Sequence, residues 1–126
     1  MPRLRDHVGD KVIYAAPLSA RRQGAPKRVG VIEGEVWAID AQRDPPKHTH
    51  SDPNCWGDYA FCSQLIKWEE GGYSIRLTYY RLPCGGDHWQ YAGQTSIETK
   101  PSTIEKLLKK TLESGDWFQK PDRKTD

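Results

Sequence analysis

The chain has 126 residues, a formal net charge of +2 and a mean hydropathy of −0.84. That length fits one domain, and no stretch approaches the ~18 consecutive apolar residues of a membrane-spanning helix. Near-neutral charge excludes a polycation, and five Trp with six Tyr argue against a disordered chain, although Leu, Ile, Val and Phe number only 22. The expected core is therefore thin in aliphatic side chains and weighted toward aromatics. A thin core in a small domain leaves room for a second copy or a bound partner to add stability. Charge is uneven: residues 1–31 carry seven Lys/Arg against two acids, and residues 32–72 carry three against eight.

In chain order, Gly9-Asp10 marks a turn and Lys11 to Ala16 (KVIYAA) a short strand that Pro17 ends. Residues 17–28 (PLSARRQGAPKR) form a basic loop. Residues 29–39 (VGVIEGEVWAI) return as a strand with a bulge or bend at Gly34. Glu33 and Glu35 share a side of that strand unless Gly34 bulges, and we read both as solvated acids facing the basic loop. Residues 40–57 form a long Pro-rich loop.

Residues 59–70 (YAFCSQLIKWEE) place Phe61, Leu65 and Trp68 at helical spacing. Phe61-Cys62-Ser63 is poor helix material, however, and Gly71-Gly72 precedes an evident strand. We expect a strand. Residues 74–98 (SIRLTYYRLPCGGDHWQYAGQTSIE) read as two alternating strands around Cys84-Gly85-Gly86. A three-residue loop with Gly86 left-handed would pair Tyr79 with Tyr91, Leu77 with Gly93 and Ile75 with Thr95. It would commit the odd face to the core and leave Arg76, Thr78, Tyr80, His88, Gln90 and Gln94 on a free face. Ser102-x-x-Glu105 reads as a capping box opening a helix over 102–114, with Ile104, Leu107, Leu108 and Leu112 as its apolar stripe and Gly115 at its end. Trp117-Phe118 then offer an anchor.

These elements predict an α+β fold: a mostly antiparallel sheet of about five strands, ending in a three-stranded meander, with one amphipathic C-terminal helix packed on a face. Residues 1–118 form a single small domain, and 119–126 a frayed tail. The charged N-terminus without an apolar signal core, and three cysteines without a CxxC pair, predict a cytoplasmic protein.

No familiar catalytic constellation stands out. His48, His50, Cys55 and Cys62 are the candidates for a metal, but their spacing matches no closed zinc pattern, so we expect no metal and no cofactor. Glu98-Thr99-Lys100 matches half of a metal-dependent nuclease signature, with Asp87 upstream. One strand carrying both acids would hold them ~36 Å apart. Phosphate-loop motifs are absent from the sequence.

We therefore expect no catalysis and a binding or regulatory role, through a protein partner or a homo-oligomer, since Trp, Tyr and Arg dominate interface energetics. Nucleic acid is the alternative partner. It would use Arg21, Arg22, Lys27 and Arg28 on the basic loop with Arg76, Tyr80, His88 and Gln90 on the free sheet face. No membrane role is expected.

Overall fold

The computed structural model describes residues 4–14, 28–40, 57–83, 85–92 and 97–123. Five antiparallel strands pair in the order in which they occur: β1 (Lys11–Tyr14), β2 (Arg28–Asp40), β3 (Asp58–Trp68), β4 (Tyr73–Leu82) and β5 (Gln90–Tyr91). Helix α1 (Pro101–Glu113) follows, then a 3-10 turn at Trp117–Gln119. The α+β class and the strand at 59–70 are as expected. The expected loop cations Arg21, Arg22 and Lys27, and most of the Pro-rich segment, lie outside the described residues. Among those residues no helix is long and apolar enough to cross a membrane.

β3 is the central strand, and Ala60 through Ile66 are all buried. Its odd residues face α1, where Phe61 packs with Ala38 and Leu107, joined by Tyr59, Tyr79 and Ile97. Its even residues face the opposite side, where Ala60 and Cys62 pack with Leu4 and Tyr80. Both faces of β3 are therefore covered. This corrects the expectation of a free even face: Thr78, Tyr80 and Leu82 are buried there, whereas Leu77 on the odd face is 53% exposed. The helix lies over β2 and β3 rather than β4, so Leu77 falls outside its footprint.

The bulge in β2 decides where two acids go. Ile32 pairs with Ile66 and Gly34 with Leu65, so Glu33 is the extra residue. Glu33 stays on the outer side, 4.0 Å from Lys67, while Glu35 turns to the inner face with its side chain only 1% exposed. The expectation of two solvated acids therefore fails for Glu35. Trp117 closes over the bulge, and a Cβ at Gly34 would stand 2.6 Å from its indole. The β3–β4 turn uses Gly71 and Gly72 at φ +109° and +78°, values that suit glycine.

The last hairpin is shifted by one residue from the expected register. Tyr80 pairs with Tyr91 and Arg81 with Gln90, and Tyr79 accepts the Ala92 N–H. Tyr91 therefore shares the face of Tyr80, and Gln90 shares the face of Arg81. Of the strand expected through 98, Gln90–Tyr91 pairs with β4, and residues 93–96 lie outside the described residues. Continuing along β4 would carry the chain toward Ser74. Instead Ile97 joins the α1-side cluster, and Thr99 and Lys100 reach Asp40 at 2.6 and 3.3 Å. Asp40 lies in the cross-strand row of Tyr59 and Arg81, at the end of the sheet opposite Ser74.

The helix begins one residue earlier than expected. Pro101 takes its first position after Lys100, and no side chain caps it, so Ser102 is not the N-cap. Thr103, Leu107 and Thr111 face inward, leaving Leu108 and Leu112 48% and 65% exposed. Thr111 shares its hydroxyl between the Leu107 carbonyl and Ser63 Oγ, at 2.8 and 2.6 Å, which fixes that rotation. The tail differs from expectation too. Tyr73 donates to the Pro121 carbonyl and accepts from the Arg123 N–H, so the chain stays paired as far as Arg123.

Candidate binding cleft

Cross-strand register arranges the inner face into rows. Glu35, Gln64 and Arg76 stand side by side on β2, β3 and β4; the next row holds Trp37, Cys62 and Thr78; the one after holds Ile39, Ala60, Tyr80 and Tyr91. The first row is one hydrogen-bonded chain. Arg76 Nε and Nη2 donate to Gln64 Oε1 at 3.0 and 2.7 Å, and Gln64 Nε2 donates to Glu35 at 2.5 Å. Gln64 is fully buried, and its amide also lies 3.3 Å from the Tyr80 hydroxyl.

The N-terminal segment completes the network. His7 donates its backbone N–H to Glu35 at 3.2 Å, and its Nδ1 lies 2.9 and 3.0 Å from the two carboxylate oxygens. Its ring stacks on Tyr80 with centroids 4.3 Å apart and planes 6° from parallel. A buried carboxylate is costly unless its oxygens are hydrogen-bonded, and Glu35 accepts from the His7 backbone N–H and from Gln64 Nε2. Burial pushes the Tyr80 phenol up to about 12; the Gln64 hydrogen bond opposes that shift and the nearby Glu35 charge adds to it.

This network floors a cleft between the N-terminal segment and the β4–β5 hairpin. One part, of about 490 Å³, is lined by Leu4, Arg5, His7, Asp10, Tyr80, Asp87, His88, Trp89 and Tyr91. The adjoining part, of about 320 Å³, has Arg76, Tyr80 and Tyr91 on one side and Lys11, Val12 and Ile13 on the other. These volumes are in the range of small-ligand and peptide sites. β1 and β5 are opposite edges of the sheet, yet both line the same space, so the sheet curls until its edges face each other across a seam.

The edges carry open backbone groups. Ile32 donates to the Asp10 carbonyl, so by alternation Val12 is the next residue bonded to β2, and the N–H and C=O of Lys11 and Ile13 point away from it. The Ala92-to-Tyr79 bond likewise leaves the Tyr91 backbone pointing away from β4. The two rim acids already have partners. Arg5 grips Asp10 through two bonds at 3.2 and 2.7 Å, and His88 Nδ1 lies 2.9 Å from Asp87. The Arg5 pairing holds the Asp10 carboxyl below its ordinary range, and His88 does the same for Asp87.

Of the residues singled out from sequence, Arg76, Tyr80 and His88 meet in the cleft. Gln90 is exposed on the other face, a correction that follows from the register shift. Arg28 opens β2 and pairs with Glu70 at 3.8 Å. Among the metal candidates, His48, His50 and Cys55 lie outside the described residues. Cys62 is sealed in the Leu4–Tyr80 cluster, and burial pushes its thiol upward, away from the thiolate a metal needs. No group of three metal-ligating side chains occurs among the described residues. The Lys100 of the nuclease-like triplet is held by Asp40.

Sequence reasoning missed His7 and Glu35. An E-G-E triplet inside a strand was the available signal, because a bulge at its glycine must separate the two acids. No protein-family model matches the chain, and neither does any curated protein or solved structure.

Proposed function

We propose that this chain is a protein-interaction domain that takes an extended segment of its partner into the cleft between β1 and β5. One observation carries the reading: two edge strands line a single seam, and each presents backbone groups to it. An extended peptide gains affinity by adding to such an edge, and side-chain pockets along the strand give selectivity. His7, Tyr80 and Tyr91 supply the aromatic surface of the pocket, held rigid by the Glu35–Gln64–Arg76 row. Preorganisation of this kind lowers the ordering cost of binding.

The test is a random-peptide library panned against the full chain, followed by binding of the recovered peptides to Ile13→Pro. Proline at an outward-facing edge position removes a donor without touching the β1–β2 ladder. The peptides should bind at least about tenfold more weakly, with the melting temperature little changed. Recovered peptides that bind the variant as well as the parent would sink strand addition at β1.

A second reading, self-association, has its own support. Leu77, Leu108, Leu112 and Phe118 are each about half or more exposed, all on the α1 side of the sheet. Exposed apolar surface of this sort marks interaction sites. It is a different face from the cleft, so the two readings are compatible.

A further inference from the structure

We propose that the floor of the cleft is a carboxylate site, with the Arg76 guanidinium as its anchor and the Tyr80 hydroxyl as its second donor. The proposal rests on the cleft being the recognition site and adds the chemistry that it recognises.

A guanidinium has five N–H groups and keeps its charge at any physiological pH. Arg76 spends Nε and one Nη2 hydrogen on Gln64 Oε1, a neutral acceptor, and among the described residues pairs with no carboxylate. Its charge is answered only at one remove, by Glu35 beyond Gln64, and Glu35 already serves His7. The remaining N–H groups belong to a side chain that lines the open cleft and lies 5.2 Å from the Tyr91 ring centre, which steadies the plane. A planar fork of this kind matches a carboxylate in geometry as well as in charge.

The neighbours point the same way. The Tyr80 hydroxyl takes a hydrogen bond from Gln64, and its own proton has no acceptor among the described residues. The outward N–H groups of Lys11 and Ile13 add donors along the seam. The acids that line the cleft are spoken for: Asp10 is chelated by Arg5 and Asp87 sits on His88. The floor is thus rich in open donors and closed to further cations. Those two flanking carboxylates also disfavour a multiply charged anion, which favours a monoanionic carboxylate over a phosphate. On a peptide, that carboxylate is the chain terminus or an Asp or Glu side chain.

Three pools of short, N-acetylated, random-sequence peptides would separate the possibilities. One has free C-terminal carboxylates, one is C-terminally amidated without acidic residues, and one is amidated with a single internal Asp or Glu. Binding to the full chain is read by affinity selection, with inorganic phosphate and acetate as separate competitors. We expect the amidated non-acidic pool to bind at least about tenfold more weakly than one of the carboxylate pools, and which of those wins names the source. Arg76→Gln should abolish that preference, Arg76→Lys should keep part of it, and Tyr80→Phe should weaken the carboxylate pool a few-fold, each checked for a native melting transition.

Equal binding of all pools, or an acid preference that survives Arg76→Gln, overturns the site. So does phosphate competing at the concentration at which acetate does, because that describes a general anion patch. If Ile13→Pro weakens every pool while acid and amide bind alike, strand addition stands and the carboxylate site falls. An acid preference with every pool binding Ile13→Pro as well as the parent gives the reverse. No binding by any pool removes both.

Discussion

His7 Nδ1 lies within 3.0 Å of both oxygens of the Glu35 carboxylate, and the His7 backbone N–H donates to the same group. Residues 28 positions apart are thereby locked, and the N-terminal segment is held on the inner face of the sheet by a side chain that is itself enclosed. Glu35→Gln offers one acceptor where two are used, and turns an N–H₂ toward the donors of His7 and Gln64. We expect a loss of about 3 kcal/mol in unfolding free energy, the scale for breaking a buried, charge-assisted network. Amide exchange at residues 7–10 should rise more than exchange in β3. Uniform acceleration across the sheet would mean that Glu35 is only a general core residue.

Tyr80 predicts an alkaline transition. The phenol is neutral in both folded and unfolded chains at neutral pH. Burial raises the folded group from 10.0 to about 12, so the unfolded chain releases its proton first. Stability held below pH 10 should therefore fall as pH rises from 10 through 12. Denaturation midpoints across that window, compared with Tyr80→Phe, isolate the residue from the other five tyrosines. A variant with the same alkaline slope as the parent would show that another group controls it.

Gly34→Ala tests the seat of Trp117. The added Cβ would meet the indole at 2.6 Å, closer than real contacts allow, so the ring or the bulge has to move. Overpacking of this kind costs about 1–3 kcal/mol. Trp117 emission should shift toward that of a solvated indole in a background where the other four tryptophans are replaced by Phe. Unchanged stability and emission would mean that the bulge can absorb a methyl group at no cost.

The local signals were legible because they are short-range. Alternation marked the strands, Gly71-Gly72 marked a turn, and Gly34 marked a bulge. What was not legible depends on partners far away in the chain. The glycines after Pro83 are compatible with either parity of loop, and Asp40, which holds Thr99 and Lys100, stands 59 positions from Thr99 in the chain. Helix rotation was misread for a related reason. The stripe of Leu side chains ranks above two threonines in hydrophobicity, yet Thr111 finds the buried Ser63 hydroxyl, and that hydrogen bond needs it facing inward. The Glu35–Gln64–Arg76 row joins three strands, so it exists only once two registers are known.

The exposed leucines give a direct test of self-association. Leu112 is 65% exposed and Leu108 48%, on a helix whose other exposed residues include Glu105, Glu113 and the lysines. Replacing it in Leu112→Glu removes apolar surface from the centre of any α1-side interface, while costing the fold little, since an exposed substitution shifts stability by about 0.5 kcal/mol or less. If copies associate through this face, sedimentation should show a concentration-dependent species in the parent and monomer in the variant. A parent that stays monomeric at high concentration rules the interface out.

Two polar atoms on the inner face, Trp37 Nε1 and Thr78 Oγ1, are buried without a hydrogen-bond partner, and they lie in one row with Cys62 between them. An unsatisfied buried donor costs about 1–3 kcal/mol. Thr78→Val keeps the shape of the side chain and deletes the hydroxyl, so we expect it to raise the unfolding free energy by about 1 kcal/mol, against the usual direction for core substitutions. The row lies directly beside the Arg76 and Tyr80 rows, which makes the variant informative about binding as well. Greater stability with unchanged peptide affinity would identify the orphan as a packing residue. Greater stability with weakened affinity would place the ligand, or a water that accompanies it, against Thr78. A loss of stability would show that the hydroxyl is satisfied in solution, and that the inner face admits water past the His7–Tyr80 stack.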